Sequence, residues 1–509
     1  MRPYLSVGLA LVLAAQPAAA QETVGLDSML FKEFMKDTLE KFRAPGAAVV
    51  VVQEGKVSAM GYGLRRQGAL DPVTADTVFP IASCSKPFTA ALLAQLVHEK
   101  KLSWDDRVAD HLPLFRLSDP LADREVTFRD LLSHRTGMPR HDLLWIAGTT
   151  KTDDLFARWG RAKPSTSFRS TWEYSNVPFT AAGYVAGTLN HTDWAGAVKK
   201  RLFDPLKMTR SSATAKEGQK GDHAIPHYLG LNSVVDPVAW DAIDHAGGAG
   251  CVNSTANDMG KWVQAQLDGG QGVIPAAELA ETHRRQMIVN PTGSFVPYFP
   301  PPYTKNVSYG LGWFVHDYRG HTCVSHGGTL TGIRAQCMMV PEKKVGVFVV
   351  CNLRPSLLPE AVAKTVLDKM LGVKAEDAVN WVEGHLATFT KQEEAARNVG
   401  AERAKKAVAN TKPSLPLTGY AGGYAERAYG RASVKAAEKD KDVKLTLEWG
   451  GITYQLDHYH FDTFTAKAVA PAERAVAFER SPTVAHFRLG SDGRVESLTF
   501  HDQVFRREP

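Results

Sequence analysis

Strand-forming segments stand at the two ends of the first two-thirds of this chain, and helical patterns fill the space between. Gly46 to Gln53 is an almost unbroken apolar run, Glu54-Gly55-Lys56 is a turn, and Val57 to Gly63 continues in small and β-branched residues, which together predict a hairpin. Strand patterns return only at Ser308–Val315, Cys323–His326, Ile333–Val340 and Val345–Cys351. In the middle, Thr127 caps a helix over Phe128–His134 that Gly137 and Pro139 stop, and further helices are predicted over Pro178–Leu189 and Ala256–Leu267. The expected fold is α/β (α+β): a sheet built from both ends of a domain, with a helical insertion. Leu357–Leu371 is an amphipathic helix placed to close over that sheet.

After Gly372 the composition turns to Lys, Glu and Ala, so residues 373–415 are expected to be a helical or extended connector. Residues 416–509 alternate short strand patterns such as Val443–Leu447, Tyr454–Leu456 and Val495–Phe500 with turns at Gly450-Gly451 and Ser491-Asp492-Gly493, which predicts a separate all-β unit. His458 and His460 stand two apart on one strand of it, but no third ligand accompanies them and no metal is assigned.

At the N-terminus, Arg2, the apolar stretch Leu5–Ala15 and Ala18-Ala19-Ala20 before Gln21 have the form of a cleaved secretory signal, residues 1–20. The expectation is a secreted or periplasmic protein with no stable membrane anchor. The net charge of +6 is spread without a basic stripe, so nucleic acid is not an expected partner. Five cysteines lack C-x-x-C spacing, which points away from metal or redox motifs. Cys323 and Cys337 are candidates for neighbouring strands, yet buried free thiols are the expected state.

Ser83-Cys84-Ser85-Lys86 carries the chemistry. A serine hydroxyl needs a base within hydrogen-bond reach, and a lysine three residues on lies on the same helical face. The apolar run Phe88, Ala91, Leu92, Leu93, Leu96, Val97 provides a dry wall that lowers the lysine pKa. The pattern alone is short enough to arise by chance. Its weight comes from two further stretches, Tyr174-Ser175-Asn176 before a helix and His326-Gly327-Gly328-Thr329 at the end of a strand.

In this order and at these separations, S-x-x-K, Y-x-N and H-x-G resemble the class C β-lactamase-like serine hydrolases over about residues 27–372. The phrases Leu131–Pro139, Gly247-Gly248 with Ser254–Met259, and Tyr309–Trp313 look like the same family. The resemblance implies a β-lactamase/transpeptidase-like fold, Ser83 as nucleophile of an acyl-enzyme, and Lys86 and Tyr174 sharing the proton transfers. It implies Asn176 as the residue holding Lys86 and a substrate amide, and the N–H groups of Ser83 and Thr329 as an oxyanion hole. Gly327 and Gly328 would let substrate lie along the strand edge. No cofactor is expected.

His326 stands where class C β-lactamases usually carry lysine. Such a histidine is typical of the D-Ala-D-Ala carboxypeptidase, D-aminopeptidase and esterase branches, and weaker carboxylate capture with a pH response near the imidazole pKa is expected. The C-terminal unit, opening with Tyr420–Tyr424, resembles the lipocalin-like barrel appended to some family peptidases. The expected function is hydrolysis of amide bonds in small linear peptides, with carboxylester hydrolysis, or a penicillin-binding or weak β-lactamase activity, as alternatives. A small peptide or ester is the expected partner, and homo-oligomer formation is left open.

Overall fold

The computed structural model of the chain describes residues 24–145, 151–439, 442–469 and 483–509. The expected signal segment lies outside them. Strands β1 (Gly46–Gln53) and β2 (Lys56–Gly63) join β3 (Met287–Ile288), β4 (Thr304–Tyr309), β5 (Phe314–Tyr318), β6 (His321–Leu330), β7 (Ile333–Val340) and β8 (Val345–Cys351) in one antiparallel sheet, ordered β2-β1-β8-β7-β6-β5-β4-β3. β1 pairs with β8 from Ala47↔Cys351 to Gln53↔Val345, so the first and last long strands are neighbours.

The unbroken apolar run of β1 has a direct cause. Ala48, Val50 and Val52 pack with Phe348 and Val350 on one face. Ala47, Val49 and Val51 pack with Val345, Val347 and Val349 on the other. Strands covered on both faces lose the polar alternation of a half-exposed sheet. Each buried valine contributes about 1.5–3 kcal/mol, and an aspartate at Val49 would put an unpaired charge between two layers.

Helices α1 (Met29–Phe42), α2 (Lys86–His98), α3 (Phe128–Leu132), α4 (Val177–Leu189), α5 (Ala256–Leu267), α6 (Leu358–Met370) and α7 (Trp381–Lys405) pack on this sheet or on one another. α5 covers the first face and α1 and α6 the second. α2 is buried from Lys86 through Leu96, the pattern of a central helix rather than an amphipathic one.

The structure alters several expected boundaries. The run Ser308–Val315 is two strands, because Gly310–Trp313 is a turn closed by the Gly310 N–H donating to the Trp313 carbonyl at 2.7 Å. Gly312 sits at φ +85°, where a Cβ would lie 3.2 Å from the Lys86 carbonyl oxygen, so glycine lets this turn rest on the start of α2. α3 has the expected Thr127 cap, as a full capping box with Asp130, but ends at Leu132. β6 runs on through His326 to Leu330 rather than ending there.

The 373–415 stretch contains α7, which packs on α6 through Trp381, Val382, His385 and Phe389. The Trp381 indole N–H donates to Asp368 at 2.7 Å. Beyond it, β9 (Gly422–Glu426), β10 (Gly430–Lys439), β11 (Asp442–Trp449), β12 (Ile452–His460), β13 (Thr463–Ala468), β14 (Thr483–Leu489), β15 (Val495–Phe500) and β16 (Gln503–Arg507) close into an antiparallel barrel. Tyr424, Leu447, Tyr454, Phe464, Phe487 and Phe505 fill its interior. A bulge interrupts β12 between His458 and His460, and both rings meet backbone groups, His458 at the Phe461 carbonyl and His460 at the Val408 N–H.

All five cysteines are buried free thiols. The β6–β7 register sets Cys337 opposite His326, three residues away from Cys323.

Candidate active site

Ser83 lies in a short 3-10 turn, Ala82–Ser85, that leads into α2. The Ser85 hydroxyl donates to the Ala82 carbonyl at 2.6 Å and accepts from the Val252 N–H at 2.9 Å, tying the turn to the core. β6 presses against the same turn. A Cβ on Gly328 would stand 2.3 Å from the Ile81 carbonyl oxygen and 3.1 Å from the Ala82 Cβ, so only glycine allows the approach that sets Ser83 beside the strand.

Lys86 is fully buried, with its Nζ 3.2 Å from the Ser83 Oγ. Nζ also donates to the Asn176 Oδ1 at 2.7 Å and to the Ala249 carbonyl at 2.9 Å. Burial, reinforced by the positive charge of Arg140, holds its pKa well below the ordinary lysine value. A neutral amine has two N–H donors and one lone pair. Asn176 and Ala249 take two donors; an ammonium gives its third N–H to the Ser83 Oγ, whereas the neutral amine turns its lone pair to that hydroxyl.

Tyr174 precedes α4, and its ring lies 4.8 Å from the Lys86 Nζ. Burial raises its phenol pKa, with Arg140 and a hydrogen bond to Ser83 acting the other way. Burial works against the Lys86 ammonium and against the Tyr174 phenolate alike. His134, expected only as part of a family phrase, packs 4.4 Å from the Tyr174 ring, and its Nδ1 accepts from the Ser175 N–H at 3.2 Å. Burial holds the pKa of that imidazole well below its ordinary value.

Asn176 is positioned on its far side by Asp142, whose Oδ1 accepts from the Asn176 Nδ2 at 3.0 Å. Arg140 pairs with Asp142 and sits 4.9 Å from the centre of the Tyr174 ring. These two residues were missed in the sequence. They lie on an irregular loop without periodicity, and the only signal was their place just after Leu131–Pro139.

His326 belongs to the same cluster, but both of its nitrogens are occupied. The Tyr309 hydroxyl meets Nε2 at 2.8 Å, and Nδ1 lies 2.6 Å from the Gly327 carbonyl, which fixes a neutral tautomer with the proton on Nδ1. Burial, then Lys86, lowers its pKa to about 3. The expected pH response near the ordinary imidazole value is thus not a property of this ring. A fixed cation reaches the strand by another route: Arg334, opposite Thr329 in the β6–β7 ladder, hydrogen-bonds the Thr329 hydroxyl and pairs with Glu360.

Two cavities meet at Ser83. The larger, about 440 Å³, is lined by Tyr174, His326, Gly327 and Thr329, by an aromatic wall of Phe295, Tyr298, Phe299 and Phe314, and by Phe389 and Gln392 of α7. The smaller, about 150 Å³, takes in Asn176, Asp142, Trp145 and Ala249, and shares Ser83, Arg140, Thr329 and Arg354 with the first. Tyr298 and Phe299 bring the Pro297–Tyr303 segment into this lining. β5 pairs with β6 only as far as Ser325, so Gly327 and Thr329 border the larger cavity on a stretch of β6 paired with β7 alone. Gly328 faces the serine turn instead.

Comparison with known proteins agrees with this geometry. The Beta-lactamase family matches residues 30–369. The chain belongs to that family. Residues 406–508, which hold the barrel, match a domain of unknown function, DUF3471. An unguisins hydrolase from Aspergillus violaceofuscus is 26% identical over 485 residues, covering 88% of this chain and 85% of the relative. Penicillin-binding protein 4 of Amycolatopsis lactamdurans is 29% identical over 322 residues, covering 60% and 81%. The octameric penicillin-binding protein homologue from Pyrococcus abyssi shares the fold, with a TM-score of 0.59 at 21% identity over 93% of this chain and 98% of that one. The chain is thus a β-lactamase-fold member of a serine hydrolase family with penicillin-binding and hydrolase relatives, carrying an additional closed barrel.

Proposed function

We propose that the protein is an exported serine hydrolase that cleaves amide bonds of small linear peptides through an acyl-enzyme on Ser83. The observation that carries this reading is the buried Lys86 amine, whose two donors are engaged by Asn176 and Ala249 while it stands 3.2 Å from the Ser83 Oγ. The Ser83 oxygen attacks the substrate carbonyl carbon and its proton passes to Lys86 Nζ. The N–H groups of Ser83 and Thr329 hold the oxyanion. Tyr174 gives its proton to the departing amine as the C–N bond breaks, and regains one from Lys86. Water then enters by the reverse path, releasing the acid and restoring Ser83.

The larger cavity supports an acyl portion with an aromatic or branched apolar side chain, and Arg334 at its edge supports a carboxylate or carbonyl beyond it. The enclosed volume favours short chains over folded proteins. The same centre accommodates activated esters, whose leaving groups need no protonation, and ester hydrolysis is the second reading. The signal-like residues 1–20 support export, and the octameric fold relative makes a homo-oligomer part of the proposal.

A fluorophosphonate probe followed by peptide mapping, with a screen of short L- and D-peptides, aryl esters and a chromogenic cephalosporin, tests this reading. The adduct is expected on Ser83, with loss of both labelling and turnover in Ser83→Ala. An adduct on another serine, or clearance of the cephalosporin faster than of peptides and esters, refutes it.

A further inference from the structure

The loop carrying Arg140 and Asp142 touches the catalytic cluster on one side and the C-terminal barrel on the other. On the inner side, Asp142 accepts from the Asn176 amide at 3.0 Å and from the Trp145 indole at 3.1 Å, and Arg140 lies over the Tyr174 ring. Between them, His141 takes a left-handed conformation, φ 44° and ψ 47°, and turns outward. Its Nδ1 is hydrogen-bonded to the Tyr429 hydroxyl, and the two rings meet edge to face at 5.3 Å.

Tyr429 is held firmly in the turn between β9 and β10. The Glu426 carboxylate accepts the N–H groups of Ala428 and Tyr429 at 2.6 and 2.7 Å. The Trp449 indole donates to the Tyr429 carbonyl at 3.2 Å, and the two rings pack at 5.8 Å. The loop has firm ties at Pro139, whose carbonyl accepts from Trp159, and at Trp145, whose carbonyl meets His245.

We infer that the barrel is a positioning element for catalysis: its Tyr429 fixes His141, and through it the Arg140–Asp142 pair that holds Asn176 and faces Tyr174. Tyr429 and His141 are not among the residues lining the two cavities at Ser83. Their effect passes through Asn176, which grips Lys86, and through the charge of Arg140. This rests on the proposed roles of Ser83 and Lys86.

The groups facing Lys86 are Arg140 and Asp142 from the loop, Tyr174 and Asn176 before α4, His134 after α3, His326 from β6, and the thiols Cys84 and Cys251. Arg140 opposes the ammonium more than Asp142 favours it. When both move away, protonation of Lys86 becomes easier, and the acid limb of acylation moves to higher pH.

The test uses the full chain with Tyr429→Phe and His141→Ala, which cut the contact from opposite sides. Two readouts are taken: the pH dependence of Ser83 labelling by a fluorophosphonate, and amide hydrogen exchange over residues 139–145. Both variants are expected to label about fivefold to tenfold more slowly at neutral pH, with the acid limb displaced upward and exchange in the loop accelerated. A Tyr429→Phe/Asp142→Asn double variant is expected to be markedly less than additive. Wild-type labelling profiles in both single variants overturn the catalytic consequence, and unchanged exchange overturns the physical coupling. If Tyr429→Phe disturbs the barrel, His141→Ala decides, since it leaves the barrel sequence intact. Failure of the wild type to label at Ser83 refutes the nucleophile assignment instead, while the exchange readout still decides the coupling.

Discussion

Replacing His326 with glutamine separates two roles that the sequence pattern merges, a titrating group and a structural one. In the folded chain this imidazole has a pKa of about 3, against about 6.5 in the unfolded chain. The folded value is the lower one, so between these pH values the unfolded chain binds the proton preferentially. The stability tied to the neutral ring is complete above about pH 6.5 and drains as pH falls toward 3. At pH 5 the loss from such a ring is about 2 kcal/mol. His316 and His385, also lowered to about 3, and His283, lowered to about 4, act in the same direction. A glutamine amide can accept from Tyr309 and donate to the Gly327 carbonyl, but it does not titrate. Urea titrations at pH 7 and pH 5, followed by tryptophan emission, should therefore show a decline in unfolding free energy smaller by about 2 kcal/mol in His326→Gln than in the wild type. Equal declines would mean that the ring is not held neutral, and the argument would fail. With Lys86 as the proposed base, the acid limb of kcat/KM should survive in the variant, and its disappearance would return that role to the imidazole.

Lys86→Ala and Tyr174→Phe should each lower kcat/KM for a short peptide by several orders of magnitude while leaving the unfolding midpoint near that of the wild type, as steady-state kinetics and urea titration would reveal. With an activated aryl ester, Tyr174→Phe should lose much less, since a good leaving group needs no proton; equal losses on both substrates would remove the acid role. Gly328→Ala drives a methyl group against the Ile81 carbonyl at a 2.3 Å approach, so both stability and Ser83 labelling should fall, and a fully active variant would show that β6 need not lie so close to the serine turn. Phe389→Ala opens the α7 wall of the larger cavity and should raise kcat/KM for bulkier acyl groups relative to small ones at a stability cost of about 3 kcal/mol or more. An unchanged substrate ranking would detach α7 from specificity.

What the sequence made legible was whatever local geometry enforces. Ser83 and Lys86 are brought together by one turn of chain, and His326 to Thr329 share one strand, so their residue types and spacing already imply their neighbourhood. The sheet was legible for a similar reason, since a strand buried on both faces must be apolar throughout. Other features depend on contacts that spacing does not encode. The aromatic stripe Trp381, His385, Phe389 has helical spacing, but it is diluted by the lysines and glutamates of a 25-residue helix, and only its docking on α6 shows that it walls the cavity. Asp142 reaches Asn176 across 34 residues, and His141 reaches Tyr429 across 288. Such separations carry no periodic trace.

The same distinction governs the chemistry. A motif names the groups that exchange protons, but which of them holds the proton at rest is set by desolvation and by charges arriving from elsewhere in the chain. Here burial, and after it Arg140 on a loop with no motif of its own, disfavours the Lys86 ammonium, while burial raises the Tyr174 phenol pKa despite that charge. The proposed division, lysine as base and tyrosine as acid, therefore rests on the assembled fold and not on the motif. A relative with the same S-x-x-K and Y-x-N residues but a different loop at this place would distribute the protons differently, and its pH profile would differ even though every motif residue was identical.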